Sequence, residues 1–333
     1  MDNKLVSLID KALSRRSFLA GSGATAAVTV IAGCGGSSTP TATPTPTPTP
    51  TPALTDADYL NFALNLEYLE AEFYLHAATG TGLAAADSGN SPNLVIVPTT
   101  TIIPRLSVQQ INYLYEIAQN ELDHVRFLRS ALGTAAVQRP VLDLRDSFNA
   151  LATAAGIGST FNPFASYESF LVGAFIFEDV GVTAYLGAAG LLTNKAYLSA
   201  AASIMAVEAY HAAEVRTLLI ADSVATATKT ATTVTPNNTY VTYANQVSTL
   251  RASLGGGNET PLTALPPYAI PFDPTAYTPA SSIVAADTTN SIAFARTTDQ
   301  VLHIVYGTGS GAGIFQGGFF PNGMNGNIKT TNS

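Results

Sequence analysis

Two glutamates in this chain are each followed three residues later by a histidine, within stretches that have the pattern of an α-helix. The pairs are Glu121 with His124 and Glu208 with His211, in a chain that has only four histidines. A spacing of three residues places both side chains on one face of a helix. Because a carboxylate and an imidazole held side by side can both bind one metal ion, these pairs strongly constrain the fold.

Two further glutamates occur in helical stretches that alternate with the first two. Glu67 is followed seven residues later by Tyr74, and Glu178 is followed seven residues later by Tyr185. Seven residues make about two helical turns, so the members of each pair share a face. The region therefore reads Glu–Tyr, Glu-x-x-His, Glu–Tyr, Glu-x-x-His, and its two halves repeat one arrangement.

Capping residues and glycines predict four helices in residues 55–222. The predicted boundaries run from Thr55 to Ala78, from Ser107 to Gly133, from Pro163 to Ala189 and from Asn194 to Ala221. The long connection between the second and third helices contains a short helix near residues 145–155. This connection permits a crossover between the two halves, so we expect a mainly α fold, a four-helix bundle with a long B–C crossover.

The small number of charges makes the glutamates in these helices unusual. Only 11% of the residues are charged, and nine of the ten glutamates lie between Glu67 and Glu214. A glutamate on an apolar helical stripe is costly unless a partner neutralises it, and few basic residues are available in three of the four helices. Four carboxylates match the charge of two divalent ions, and the mixture of ligands suits iron or manganese, and also zinc. The predicted ligands are Glu67, Glu121, His124, Glu178, Glu208 and His211.

Glutamates beside the predicted ligands leave alternatives open. Glu70 follows Glu67 by one turn, but we prefer Glu67 as the ligand because its spacing to a tyrosine is repeated at Glu178. Glu70 is then expected at the helix surface or behind the ligands. Glu214 either orients the imidazole of His211, replaces Glu208 as a ligand, or pairs with Arg216 at the surface. Tyr74 and Tyr185 either hydrogen-bond the ligands or carry radicals, or they pack as ordinary core tyrosines.

The spacing resembles that of the ferritin-like di-iron carboxylate bundles. The stretches 65–74, 177–185 and 207–214 further resemble the desiccation-related ferritin-like proteins, and the resemblance covers about half of the chain. It implies a four-helix fold and a di-metal site, without supplying a substrate. We expect either oxidation of Fe(II) or consumption of peroxide, with oxygen or peroxide as the small-molecule substrate. The alternative is a non-catalytic cell-envelope protein that protects during drying, with a bundle that keeps the pattern but lacks metal.

Residues 1–34 have the features of a bacterial export signal. Arg15 and Arg16 lie in a stretch similar to a twin-arginine motif, and a short apolar run follows and ends at Cys34. The residues before this single cysteine resemble a lipobox, so Cys34 is the predicted lipidation site. We therefore expect an exported lipoprotein in the periplasm or cell envelope, anchored to a membrane.

The remaining segments predict a spacer and an extension. Residues 35–54 form a Thr/Pro linker, whose polyproline stretch reaches about 40 Å at roughly 3.1 Å per residue. Residues 223–333 are a loop-rich extension that we expect to pack on the bundle, with helices near 240–254 and 297–306. A net charge of -8 argues against a nucleic-acid partner. The oligomeric state stays open, with a homo-oligomer as one alternative.

Overall fold

The computed structural model describes residues 53–273, 275 and 283–333 of the chain. The predicted export signal, the predicted lipidation site Cys34 and the linker up to residue 52 lie outside the described residues, as do residues 274 and 276–282. The described residues form seven α-helices and two small sheets. The predicted mainly α fold is therefore confirmed.

The first helix, α1, spans Asp56–Thr79 and begins at the predicted cap. Thr55 and Asp58 form a capping box in which the Asp58 carboxylate accepts a hydrogen bond from the Thr55 N–H at 2.7 Å. Gly80 ends the helix with a φ of 77°, a left-handed conformation that glycine adopts without strain. Both predicted ends of this helix are thus correct to within a residue.

The second helix, α2, spans Val108–Leu132 and also begins as predicted. The side chains of Ser107 and Gln110 each accept a hydrogen bond from the backbone N–H of the other residue, at 3.2 and 2.8 Å. This reciprocal pair satisfies two N–H groups that would otherwise lack partners at the start of the helix.

The crossover after α2 carries a short helix and half of a small parallel sheet. Strand β1 spans Val95–Ile96 before α2, and β2 spans Leu142–Asp143 after it. The short helix α3 spans Asp146–Ala154, close to its predicted position. Together these elements lead the chain from the first half of the bundle to the second.

The helix α4 spans Tyr167–Ala189 and begins four residues later than predicted. Pro163 suits a first helical turn, but Ser166 is the true cap because its hydroxyl accepts a hydrogen bond from the Ser169 N–H at 3.2 Å. Of the described helices, α4 alone is long and apolar enough to cross a membrane. Since 89% of its most apolar window is buried in the protein, it is the central core helix of the bundle.

The helix α5 spans Lys195–Ala225 and is one turn longer than predicted. Asn194 caps its start, and its side chain accepts a hydrogen bond from the Ala196 N–H at 2.8 Å. The turn before α5 is tied to α1, since the Asp56 carboxylate accepts hydrogen bonds from the backbone of Thr193 and Asn194 at 2.8 Å. The helices α1 and α2 pack along each other, as do α4 and α5.

The chain beyond α5 contains two predicted helices and a sheet that was not predicted. The helices are α6, Thr239–Gly255, and α7, Thr298–Tyr306, and both contact α4. The strands β3, β4 and β5, at Thr228–Lys229, Thr233–Thr235 and Tyr268–Ala269, form an antiparallel sheet in that order. Strands of two or three residues leave too short an alternation to be read from a sequence.

The C-terminal tail also contacts the bundle. Asn65 of α1 exchanges hydrogen bonds with the backbone of Asn325, with both distances at 2.9 Å. The ring of Phe319 lies 5.0 Å from that of Phe177 in α4 and 5.2 Å from that of Phe148 in α3, measured between centroids. The tail therefore covers the bundle on the side of α1 and α4.

Candidate metal centre

The four long helices bring the six predicted ligands together in the middle of the bundle. Five of the six ligands are fully or almost fully buried. Glu67, Glu121, Glu178 and Glu208 are 0% exposed, and His211 is 4% exposed. Because each helix contributes one glutamate at the same depth, the carboxylates converge instead of lying along separate surfaces. The remaining predicted ligand, the imidazole of His124, is 8% exposed.

The first half of the centre surrounds His124. Its Nδ1 atom lies 3.3 Å from Glu67 Oε2, 3.3 Å from Glu121 Oε2 and 3.3 Å from Glu208 Oε1. These four residues come from three helices, and one ligand atom from each lies within 4.8 Å of the others. Four such donors around one point have the spacing that a single metal ion requires.

The second half surrounds His211. Its Nδ1 atom lies 2.8 Å from Glu121 Oε1 and 3.5 Å from Glu178 Oε2. These residues and Glu208 form a second group whose ligand atoms also lie within 4.8 Å of one another. Glu121 and Glu208 belong to both groups, and the two imidazole rings lie 6.3 Å apart between centroids. The arrangement is compatible with a di-metal site in which Glu121 and Glu208 would contribute to both halves.

Several ligand atoms of this cluster contact one another as ion pairs but make no hydrogen bond within the described part of the chain. Among the described residues, atoms without a hydrogen bond include Glu67 Oε2, Glu121 Oε1, Glu178 Oε2, both oxygens of Glu208, and His211 Nδ1. Buried polar atoms are almost always paired, and unpaired ones point to a missing ion or ligand. Since the unpaired atoms are the ones that face each other, the residues fit a pair of cations.

The charges of the cluster are strongly unbalanced. Burial raises the pKa of Glu67 to about 7 even though His124 opposes the shift. Burial and the nearby Glu121 also hold the pKa of Glu208 well above its ordinary value. Burial alone would raise the pKa of Glu121 too, but the imidazoles on either side of it lower that pKa to about 2. Within the described chain, every ion pair of the four ligand carboxylates is with a histidine.

The two tyrosines connect the helices in a crossed arrangement. Tyr74 of α1 donates its phenolic hydrogen to Glu178 Oε1 of α4, and Tyr185 of α4 donates to Glu67 Oε1 of α1. Each tyrosine shares a helix with one ligand but orients the ligand of the other helix. Each bond occupies one carboxylate oxygen, so the second oxygen is left facing the cluster. The two residues therefore hydrogen-bond the ligands, as one of the sequence-based alternatives stated.

Glu70 is buried beside the cluster but belongs to neither group of ligand atoms, so the expectation that it lies at the helix surface was wrong. Its side chain is 4% exposed, and burial together with Glu208 holds its pKa well above the ordinary value. A Cβ atom added to Gly181 would lie 2.4 Å from Glu208 Oε2 and 3.2 Å from Glu70 Oε1. The glycine thus gives both carboxylates room, and a larger residue there would displace Glu208.

Glu214 is half-buried and belongs to neither cation site. The predicted surface pair with Arg216 is wrong, because Arg216 is buried and donates to Asp179 Oδ2 at 2.9 Å. The partner of His211 is instead Asn120, whose Oδ1 lies 3.1 Å from Nε2 of the ring. Sequence reasoning missed Asn120, although it immediately precedes Glu121 and its spacing could have suggested the contact.

Comparison with known proteins agrees with this architecture. Residues 55–221 match the family described as ferritin-like domain. The chain is 28% identical over 284 residues to the ferritin-like catalase Nec2 of Nesocodon mauritianus, covering 82% of this chain and 84% of that protein. It is 30% identical over 258 residues to the desiccation-related protein PCC13-62 of Craterostigma plantagineum, covering 74% and 76% respectively. The chain therefore belongs to the ferritin-like domain family.

Proposed function

We propose that this protein is a di-metal oxidoreductase that consumes peroxide at the buried carboxylate and histidine cluster. The observation that carries the proposal is the set of unpaired, inward-facing ligand atoms shared between two adjacent cation sites. The similarity to a ferritin-like catalase over 84% of that protein's length favours peroxide over other small oxidants. Iron and manganese suit the mixture of carboxylate and imidazole ligands.

The residues divide the work of holding two ions. Glu121 and Glu208 would bind both ions, and each histidine would bind one. When bound, a pair of iron or manganese ions would accept two electrons from one peroxide and pass two electrons to another. Tyr74 and Tyr185 orient the carboxylates of Glu178 and Glu67 through their phenolic hydrogen bonds, so these carboxylates need no rearrangement to bind an ion.

The proposed reaction balances within peroxide itself. One hydrogen peroxide is oxidised to dioxygen and releases two electrons and two protons, and a second accepts them to form two waters. Protons must then be stored near the ions between the two half-reactions. Glu70 is placed for this role, because its carboxyl group is buried beside the ligands, and burial together with Glu208 raises its pKa. A wall of apolar side chains from α1, α4 and α7 surrounds Glu70 and limits the access of water.

Metal analysis tests the first part of the proposal. We expect about two ions for each chain in protein purified without chelators from medium containing iron and manganese. Glu178→Ala and His211→Ala should each reduce the stoichiometry by about one ion or more. Asp123→Ala is the matched control, because Asp123 adjoins a ligand but is 59% exposed and pairs with Arg126. Metal-free parent protein after metal-replete growth would overturn the proposal.

Activity measurements then identify the reaction. Protein loaded with manganese or iron should evolve one dioxygen for every two hydrogen peroxide molecules consumed, measured with an oxygen electrode. Glu70→Gln should retain both metal ions but lose most of this activity, since an amide cannot exchange the proton. If Fe(II) is oxidised by dioxygen while peroxide is not disproportionated, the protein is a ferroxidase and the peroxide proposal is wrong.

A non-catalytic role in protection during drying is the second candidate. The similarity to a desiccation-related protein, at 30% identity over 74% of this chain, supports it. The two candidates differ in what the ligands are needed for. A protective role predicts that chains carrying Glu178→Ala still protect a test enzyme during drying and rehydration. The oxidoreductase role predicts that the same variant no longer consumes peroxide.

We also propose that the protein is exported and anchored to a membrane. The twin arginines Arg15 and Arg16, the apolar run and the single cysteine Cys34 support this, since they occur in the order of a lipoprotein signal. Cell fractionation tests it. Cys34→Ala should release the exported protein from the membrane fraction, and replacing both arginines with lysine should retain it in the cytoplasm. Equal distribution of all three proteins would contradict the proposal.

A further inference from the structure

A line of polar side chains leads from the surface to the centre along the contact between α2 and α5. We call it the α2–α5 seam. The helices run in opposite directions here, because Asn120 contacts His211 while Tyr113, two turns earlier, shares a cavity with Leu218 and Asp222, beyond His211. The seam consists of Tyr113, Glu116 and Asn120 on α2 and of Asp222, Glu214 and His211 on α5.

The outer end of the seam is a surface cavity of about 320 Å³. Tyr113, Tyr167 and Asp222 line it, together with glutamines of α2 and small residues of α5. Tyr167 is 8% exposed, and its phenolic oxygen is buried without a hydrogen-bond partner among the described residues. A buried hydroxyl without a partner indicates that a polar ligand or ion binds there, because leaving such a group unpaired is costly.

Glu214 occupies the middle of the seam. Its Oε1 atom is buried and also lacks a hydrogen bond among the described residues. Burial and the nearby Glu116 raise the pKa of Glu214, while His211 lowers it. One helical turn separates Glu214 from His211, and two turns separate it from Asp222. His211, Glu214 and Asp222 therefore lie on one face of α5, in order from the centre to the outer cavity.

We propose that the α2–α5 seam is the entry route for divalent cations, with Glu214 as a transient ligand between the outer cavity and the His211 side of the centre. This inference rests on the proposed metal centre. Carboxylate, hydroxyl and amide oxygens are the donors that hard divalent ions prefer. Among the described residues, those that line the outer cavity include no Lys or Arg that would repel a cation. A negatively charged cleft raises the rate at which cations arrive.

The rate of metal loading tests this route separately from the affinity of the centre. Metal-free protein is mixed with Co(II) at low ionic strength, and the appearance of the ligand-field absorption of bound cobalt is followed by stopped flow. Glu214→Gln and Asp222→Asn should each slow loading by about tenfold or more, with the final amplitude unchanged. Tyr167→Phe should slow it less, since it removes only a neutral oxygen.

Asp123→Asn is the matched control, because it removes the same charge from α2 on the exposed side. It should load at the parental rate, and added salt should diminish the difference between the parent and the two slow variants. Parental loading rates in both Glu214→Gln and Asp222→Asn would overturn the route. A reduced final amplitude in Glu214→Gln would also overturn it, because Glu214 would then be a ligand of the centre itself. If the parent binds no cobalt, the proposed function fails first and the route fails with it.

Discussion

The bundle contains two buried clusters of charge that differ in how they are neutralised. One is the candidate metal centre. The other, which we call the arginine network, consists of Arg216, Arg251, Arg296, Asp179 and Glu259. In this network Arg251 donates to both acids, at 2.8 and 2.7 Å, while Arg216 donates to Asp179 at 2.9 Å and Arg296 to Glu259 at 2.6 Å.

The arginine network finds most of its partners within the protein, although Asp179 Oδ1 and Arg251 Nε make no hydrogen bond among the described residues. Remaining N–H groups donate to backbone carbonyls, including those of Phe175 in α4, Thr260 and Asn258. The network therefore connects α4 and α5 to α6 and the loops that follow. The candidate metal centre, in contrast, has four ligand carboxylates for two imidazoles, and several of its oxygens make no hydrogen bond among the described residues. The comparison shows that buried charges can stabilise the fold in one place and bind a ligand in another. The number of oppositely charged partners within the protein distinguishes the two kinds of cluster.

The largest expected effect is on the arginine network. Asp179→Asn removes the carboxylate charge that both Arg216 and Arg251 contact and should lower the free energy of unfolding by about 3–5 kcal/mol, because a negative charge beside two buried cations is lost. Chemical denaturation of the metal-free protein measures this. Asp123→Asn, in an exposed pair, should change stability by less than about 1 kcal/mol. Equal losses in both variants would show that the network contributes no more than an exposed pair.

The second largest expected effect is the change in the free energy of unfolding when metal binds to the candidate metal centre. Each ion that binds only the folded protein should raise the free energy of unfolding by about 2.7 kcal/mol at a free concentration about 100 times its Kd. A chelator should reverse the gain. The same addition should leave the loss caused by Asp179→Asn unchanged, since the two clusters are separate. Thermal unfolding with and without Mn(II) measures both, and stability that is independent of metal would remove the distinction between the clusters.

Sequence reasoning predicted the cluster of carboxylates and imidazoles but not the arginine network, for a physical reason. Glu121 and His124 carry a local signal, because helical spacing alone puts them on one face. The members of the arginine network come from separate elements with no shared period, so only the packing of α6 on α4 brings Arg251 to Asp179. Glu70 shows the same limit on a smaller scale. Spacing placed it beside Glu67, but the rotation of α1, which buries both, depends on the packing of the whole bundle.

A smaller effect is expected from the crossed tyrosines. Tyr74→Phe and Tyr185→Phe should each weaken metal affinity about 10–100-fold, or about 1.4–2.7 kcal/mol, because an orienting hydrogen bond is lost while the ring still fills its space. Competition with a coloured chelator measures the change. Tyr68→Phe is a control, because Tyr68 is a buried tyrosine of α1 that bonds to Arg129 and Val137 instead of a ligand. Unchanged affinity in both test variants would leave the tyrosines as packing residues.

The smallest effect concerns the pH dependence of the metal-free protein. The pKa values of Glu208 and Glu67 are raised in the folded state, that of Glu67 to about 7, and that of His211 is raised to about 11 as the carboxylate of Glu178 outweighs burial. The folded protein therefore binds more protons than the unfolded chain above about pH 4.5. Its stability should fall as the pH rises from about 5 to 9.

Glu208→Gln should reduce this fall. An amide has no proton to lose, so the metal-free variant at pH 9 should be more stable than the parent. Denaturant titrations at pH 5, 7 and 9 measure the slope. The sign is opposite to that expected for Asp179→Asn, although both changes neutralise one buried acid. A loss of stability in Glu208→Gln at pH 9 would mean that its carboxylate stabilises the metal-free bundle, so that the two clusters would not differ in how their charge is balanced.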